Sequence, residues 1–256
     1  METIVIDQRY FLLTEIGSGG EARVFRARDE QAGVEVAVRL AQQFASAQAA
    51  APAAFHDHWV LLLASGSDPV YGAYQVFELL EGQTLGQSIP SGPLDQAEWR
   101  LFVDQSLDAV EALHTGGWVH GDLNAANFFQ TAAGWKLLEL PFLRLDQPKK
   151  RSPLFGSIHT LAPEQIDGAV ADVLSDIYSL GCLYYYAAAG IYPHPGRNAQ
   201  EVAIHCLRFP AEPLAENAPQ LPQAWSDAVM NLIARRREDR PSSLASARHL
   251  LAVPVA

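Results

Sequence analysis

Apolar and polar positions repeat with one period in the first part of the chain and with another in the rest. Up to about residue 80 the pattern favours strands. Tyr10–Gly17 (YFLLTEIG) is rich in β-forming residues, and Arg23–Asp29 (RVFRARD) continues in the same way. Val34–Leu40 (VEVAVRL) alternates cleanly through Val34, Val36 and Val38. Trp59–Gly66 and Tyr71–Leu80 read as two more strands, parted by the turn signal Gly66-Ser67-Asp68-Pro69. The alanine-rich stretch 41–54 predicts a short helix broken by Pro52.

The period lengthens beyond Glu81-Gly82-Gln83-Thr84-Leu85. Trp99, Phe102, Val103, Val110 and Leu113 recur at helical spacing across 94–115. Asp95 followed by Glu98 makes a capping-box start, and Gly116-Gly117 makes a stop. Further helices are predicted over 172–189, 198–206, 223–236 and 242–252, with the proline-bearing stretches 193–195 and 210–222 as loops. The expectation is an α+β chain, β-rich over 1–82 and helical over 83–256.

With 49% hydrophobic and 18% charged residues, the composition is that of a folded domain with a sizeable core. A net charge of −11 argues against nucleic acid as a partner. The basic run Lys149-Lys150-Arg151 is read as a solvated loop. Cys182 and Cys206 have no metal-ligand spacing and are expected to be buried small hydrophobes. The opening METIVIDQRYF lacks the pattern of a secretory leader. The weakly polar run Leu180–Pro193 is too short to span a bilayer. A cytoplasmic setting is the expectation.

Taken alone, Gly17-Ser18-Gly19-Gly20-Glu21-Ala22 is a glycine-rich turn between strands. An ordered series gives it more meaning: IGSGGEARVFRA (16–27), VAVR (36–39), FELLEG (77–82), HGDLNAAN (120–127), LELP (138–141), LAPEQ (161–165), SDIYSLG (175–181) and EDRPSS (238–243). In this order they resemble the phosphate loop, lysine strand, hinge, catalytic loop, Asp-Phe-Gly position, Ala-Pro-Glu motif and large-lobe segments of a bacterial, eukaryotic-type Ser/Thr protein kinase domain. The resemblance implies a bilobal fold, with a small β-rich N-lobe over 1–82, a hinge at 77–82 and a helical C-lobe over 83–256. It places Gly17, Gly19, Val24, Ala37, Arg39, Glu78 and Leu80 at a nucleotide. Asp122 falls at the attacking hydroxyl, and Asn127 and Glu139 at a metal. Glu164 with Arg240 matches the family's structural ion pair, and Asp176 matches the acid that braces the catalytic loop.

Several positions depart from the family's chemistry. Arg39 replaces the phosphate-contacting Lys, trading a compact ammonium for a planar fork of donors. Residues 40–56 contain no Asp or Glu, so the carboxylate implied as that cation's partner is missing. Glu139-Leu140-Pro141 fills the Asp-Phe-Gly position. The extra methylene of Glu139 matters because Mg²⁺ wants near-octahedral ligands at about 2.0–2.1 Å, and Pro141 removes the freedom that glycine allows. Gly121 and Asn124 replace an Arg and a Lys, and Glu21 sets a like charge against a nucleotide. With these losses, Glu139 is the expected carboxylate partner of Arg39.

Together these features predict a pseudokinase: a protein-interaction or regulatory module with a protein partner and weak or absent ATP binding, taking Mg²⁺ only with a nucleotide. The alternative is an active, atypical ATP-dependent Ser/Thr kinase with Ser152, Ser157 and Thr160 as autophosphorylation sites. A small-molecule phosphotransferase is a further alternative, disfavoured by LAPEQ and SDIYSLG.

Overall fold

The computed structural model describes residues 4–18, 22–41, 55–139, 143–144 (backbone only) and 158–252. The chain divides into two compact units. Met1–Phe55 with Val60–Glu81 forms the first, and His56–Trp59 with Gly82–Ala256 forms the second.

The first unit is a six-stranded antiparallel sheet of β1 (Val5–Ile6), β2 (Tyr10–Ser18), β3 (Ala22–Asp29), β4 (Val34–Ala41), β5 (Leu62–Asp68) and β6 (Gly72–Glu78), in the order β1-β2-β3-β4-β6-β5. The period-2 pattern decides which face is covered: Val36 and Val38 are buried with Ile6, Tyr10, Ala27, Tyr74 and Val76. The turn expected at Gly66–Pro69 falls later, because β5 runs through Gly66 to Asp68. Gly66 serves packing instead: a Cβ there would lie 2.6 Å from the Tyr74 hydroxyl oxygen. Asp68 starts the turn, its Oδ1 accepting from the backbone N–H groups of Val70 (2.8 Å) and Tyr71 (3.0 Å). Two non-glycine residues in the left-handed region, Asp7 and Gln8, link β1 to β2. Asp7 is held there by its N–H donating to Asp68 Oδ2 at 2.9 Å and by the Tyr74 hydroxyl donating to its carboxylate at 2.5 Å. The helix predicted over 41–54 lies, apart from Ala41 in β4, outside the described residues.

Trp59, expected at the head of a strand, instead anchors the segment His56–Trp59 in the second unit. Its indole is buried and donates to Ala109 O at 2.9 Å.

The second unit opens with β7 (Gln83–Thr84) and the short helix α1 (Leu85–Ser88), followed by α2 (Gln96–Thr115). Asp95 Oδ1 accepts from Ala97 and Glu98 N–H, and the Glu98 carboxylate accepts from Asp95 N–H, forming the capping box read from the sequence. Next come β8 (Trp118–Val119), β9 (Phe128–Thr131), β10 (Gly134–Leu137) and β11 (Leu143–Arg144). β7, β9 and β10 form one small sheet, and β8 pairs with β11.

The helices that follow are α3 (Pro163–Ile166), α4 (Val173–Ala189), α5 (Ala199–Arg208), α6 (Leu214–Asn217), α7 (Gln223–Leu232) and α8 (Leu244–Leu251). The apolar stripe of α2 packs as its spacing requires. Trp99 stacks on Trp225 of α7 at 5.2 Å, and Phe102 meets Phe128 and Tyr184 edge-on at 5.3 and 5.7 Å. α4 is buried along most of its length, and a Cβ at Gly181 would sit 2.6 Å from the Ile233 side chain, so glycine permits that close approach. α7 stops at Leu232, short of the predicted 236, and the Ala234 and Arg235 carbonyls accept hydrogen bonds from Arg240 instead. The loop expected over 210–222 contains α6. Cys182 and Cys206 are free and buried, as their surroundings in the sequence suggest. No helix among the described residues is long and apolar enough to cross a membrane.

Candidate active site

In the first unit, strand register assembles one face from residues distant in sequence. Gly17 pairs with Val24, Val24 with Arg39, and Arg39 with Gln75. In the adjacent row of the same face, Arg26 pairs with Ala37 and Ala37 with Phe77. Gly17, Val24, Ala37 and Arg39 therefore share a face with Phe77, the first residue of FELLEG, and with Gln75, which was not singled out from sequence. Only the pairing of β4 with β6 reveals Gln75, which no local motif marks. The Arg39 guanidinium donates from Nη1 to Gln75 Oε1 at 3.2 Å. Glu78 alternates to the opposite face, and its Oε1 accepts from Leu61 N–H at 2.9 Å. Leu80 follows β6 and is half-buried, while Gly19 lies outside the described residues.

In the second unit, the chain leaves β8 and turns through His120–Asn127 before entering β9. Asp176, in the first turn of α4 and completely buried, holds the start of that turn. Its Oδ2 accepts from His120 N–H (2.9 Å) and from the His114 ring (2.9 Å), and its Oδ1 accepts from Gly121 N–H (2.8 Å). Gly121 has φ +73°, a backbone that glycine adopts without strain. Its carbonyl accepts from Gln165 Nε2 at 3.0 Å, tying the LAPEQ segment to the loop.

His120 Nδ1 accepts from Asp122 N–H at 3.2 Å, which leaves Nε2–H to donate to the Glu139 carbonyl at 3.0 Å and fixes the tautomer. The Asp122 carbonyl accepts from the side-chain amides of Asn124 (3.1 Å) and Asn127 (3.0 Å). Leu138 N–H donates to Asn127 O at 2.8 Å. Asp122, Asn127 and Glu139 are thus joined in one hydrogen-bonded frame. Asn124, at the position of a family Lys, shapes the loop, its Oδ1 accepting from Ala126 N–H at 2.9 Å.

The frame fits a divalent cation in one respect. Committing Asn127 Nδ2 to Asp122 O turns Oδ1, the atom able to ligate a metal, to the other side of the amide. Among the described residues no group of three His, Cys, Asp or Glu side chains could hold a metal ion by itself. Mg²⁺ does not need such a group, because it is typically bound through one or two protein ligands together with substrate phosphates and water. Leu140, Pro141 and Phe142 lie outside the described residues. So do Ser152 and Ser157. Thr160 is buried, with its carbonyl accepting from the Ser179 hydroxyl at 2.7 Å, and is not an accessible phosphate acceptor in this conformation.

Glu164, in the first turn of α3, receives both Nη groups of Arg240, at 2.8 and 2.9 Å. Arg237 (3.0 Å) and the Ser175 hydroxyl (3.0 Å) add to Oε1. The buried Arg240 also donates to the carbonyls of Leu174, Ala234 and Arg235 and lies 4.8 Å from the centre of the Tyr178 ring. Burial pushes the Glu164 carboxyl up, but the Arg240 hydrogen bonds and charge outweigh it and hold the group below its ordinary range.

The protein kinase domain profile matches residues 10–255, and the chain belongs to that family. It is 30% identical to the DNA damage-responsive serine/threonine-protein kinase RqkA of Deinococcus radiodurans, across 96% of this chain and 39% of that protein. Identity to the serine/threonine-protein kinase PrkC of Bacillus subtilis is 28%, across 90% of this chain and 38% of PrkC. The probable serine/threonine-protein kinase PknB of Lactococcus lactis is 27% identical, across 92% and 40%. The chain thus spans about two fifths of the length of these bacterial relatives. Among solved structures, Rad53 1–466 in complex with AMP-PNP superposes with a TM-score of 0.81 at 20% identity, covering 95% of this chain and 66% of Rad53 1–466. That likeness bears on the fold.

Proposed function

We propose that the chain transfers the γ-phosphoryl group of ATP to a Ser or Thr hydroxyl of a protein, through an atypical set of side chains. The observation that carries this reading is the frame around Asp122: a buried Asp176 holds the loop, and Asn127 and the Glu139 backbone are bonded into it. Kinship with bacterial Ser/Thr kinases supports the substrate class. In this reading the Asp122 carboxylate orients the attacking hydroxyl and accepts its proton. Asn127 Oδ1 and the Glu139 carboxylate would hold Mg²⁺, which when bound neutralises charge on the phosphates. Arg39, on the sheet face it shares with Gly17, Val24 and Ala37, is the cation that the first unit offers to a nucleotide's phosphates.

The expected result is phosphorylation of the chain or of a generic acceptor protein with radiolabelled ATP and Mg²⁺ or Mn²⁺. Asp122→Asn is expected to lower the rate by about 10²–10⁴-fold, the usual worth of a positioned acid–base group. Label that persists in Asp122→Asn, or none from the wild type, would sink the proposal.

A second reading, a kinase-shaped module that binds a protein partner without chemistry, is favoured by Arg39, by Glu139-Leu140-Pro141 and by the acid-free stretch 40–56. Under it the wild type carries no label. ATP with Mg²⁺ also fails to raise the melting temperature, as specific ligand binding would.

A further inference from the structure

Arg39 and Gln75 are cross-strand partners in the ladder between β4 and β6, and Arg39 Nη1 donates to Gln75 Oε1 at 3.2 Å. Both stand on the face of the first unit that carries Gly17, Val24, Ala37 and Phe77. We propose that Gln75 is a positioning residue for Arg39, holding its guanidinium ready for the phosphate groups of a nucleotide. The ligand, though not the pairing, rests on the phosphotransfer reading.

Three physical points favour Gln75 for this task. First, a free Arg side chain loses rotamer entropy when it binds, and a partner fixed on the neighbouring strand removes much of that cost before the ligand arrives. Second, the amide oxygen is a neutral acceptor, so it orients the guanidinium without setting a negative charge of its own beside the phosphates. The bond to Gln75 takes one donor of a five-donor fork suited to bidentate phosphate contacts. Third, both residues belong to one hydrogen-bonded sheet. Strand register therefore sets Gln75 beside Arg39.

Binding of ATP and of adenosine to the full chain, measured by calorimetry, tests this. Gln75→Leu is expected to weaken ATP about tenfold, the scale of one lost hydrogen bond to a charged group, while leaving adenosine unchanged. In an Arg39→Met background the same substitution should have no further effect. The proposal is overturned if ATP affinity is unchanged, if ATP and adenosine weaken equally, or if the loss persists without Arg39.

A nucleotide-free measurement separates the pairing from the ligand. In nitrogen-edited NMR spectra at low temperature, the Arg39 guanidinium should give resolved, slowly exchanging Nη signals that collapse in Gln75→Leu. If the wild type binds no ATP, the phosphotransfer reading fails, and the NMR spectra alone decide the pairing. Arg39 signals insensitive to Gln75 defeat it.

Discussion

At the scale of the residue, the most exposed vulnerability is a buried imidazole. His194 is 5% exposed, its Nε2 lies 3.0 Å from the Tyr178 hydroxyl, and burial followed by the nearby His205 pushes it down to about 4. The folded value lies below the unfolded one of about 6.5, so the unfolded chain takes up the proton first as pH falls. Stability should be unaffected by this group above about pH 6.5. It should decline down to about pH 4, by up to about 3 kcal/mol. Urea melts of wild type and His194→Gln at pH 7 and 4.5 check this: the variant should lose less on acidification, and equal losses would refute it. Arg240 makes the opposite case, a permanent charge that is safe only while paired. Removing one member of a buried pair leaves the other uncompensated, so Arg240→Met is expected to cost about 3–5 kcal/mol. That cost should be visible as a fall in the denaturant midpoint of the second unit's own transition at unchanged m-value. Arg237 keeps one bond to Glu164, which places the expected loss toward the lower end.

At the scale of the element, the turn His120–Asn127 depends on one glycine. Gly121 sits at φ +73°, where any residue with a Cβ is strained by about 1 kcal/mol. Gly121→Ala should therefore lower the melting temperature by about 2–4 °C, and an unchanged or higher value would contradict the strain argument. What was legible in the sequence follows the same division between local and long-range information. Alternation at Val34–Val38 and the Asp95–Glu98 box are local, and the strand and helix they predict are present. Asp122 and Asn127 were placed by the resemblance of HGDLNAAN to the family's catalytic loop, and one turn of the structure joins them. The Gly66–Pro69 signal misled because the glycine answers to the Tyr74 ring, which lies on another strand. Trp59 reads as a strand residue until its burial beside α2 is known. Gln75 was invisible because register is a property of two strands, and neither strand specifies it alone.

At the scale of the whole molecule, the two units differ in how much apolar surface they can bury on themselves. The sheet unit has a compact core of Ile6, Tyr10, Ala27, Val36, Val38, Tyr74 and Val76. The helical unit has a far larger continuous core that includes Trp59, Trp99, Phe102, Phe128, Trp135, Tyr178 and Trp225. Apolar burial contributes roughly 25 cal/mol per Å², and small cores leave little margin over chain entropy. The units should therefore open at different denaturant concentrations, the sheet first. Amide exchange followed at rising urea reads this directly. Protection in β3, β4 and β6 should fall before protection in α2 and α4, whose hydrogen bonds report the larger core. Coincident loss in both sets would mean that the chain unfolds as one cooperative unit. A sheet that opens first has a consequence for chemistry: Arg39 and Gln75 would be released while Asp122 and Asn127 remain framed by Asp176. On the phosphotransfer reading, nucleotide binding at intermediate urea is then expected to disappear before the α2 and α4 amides lose protection. If binding outlasts the protection of β4 and β6, the phosphate contact does not depend on the sheet face to which Arg39 belongs.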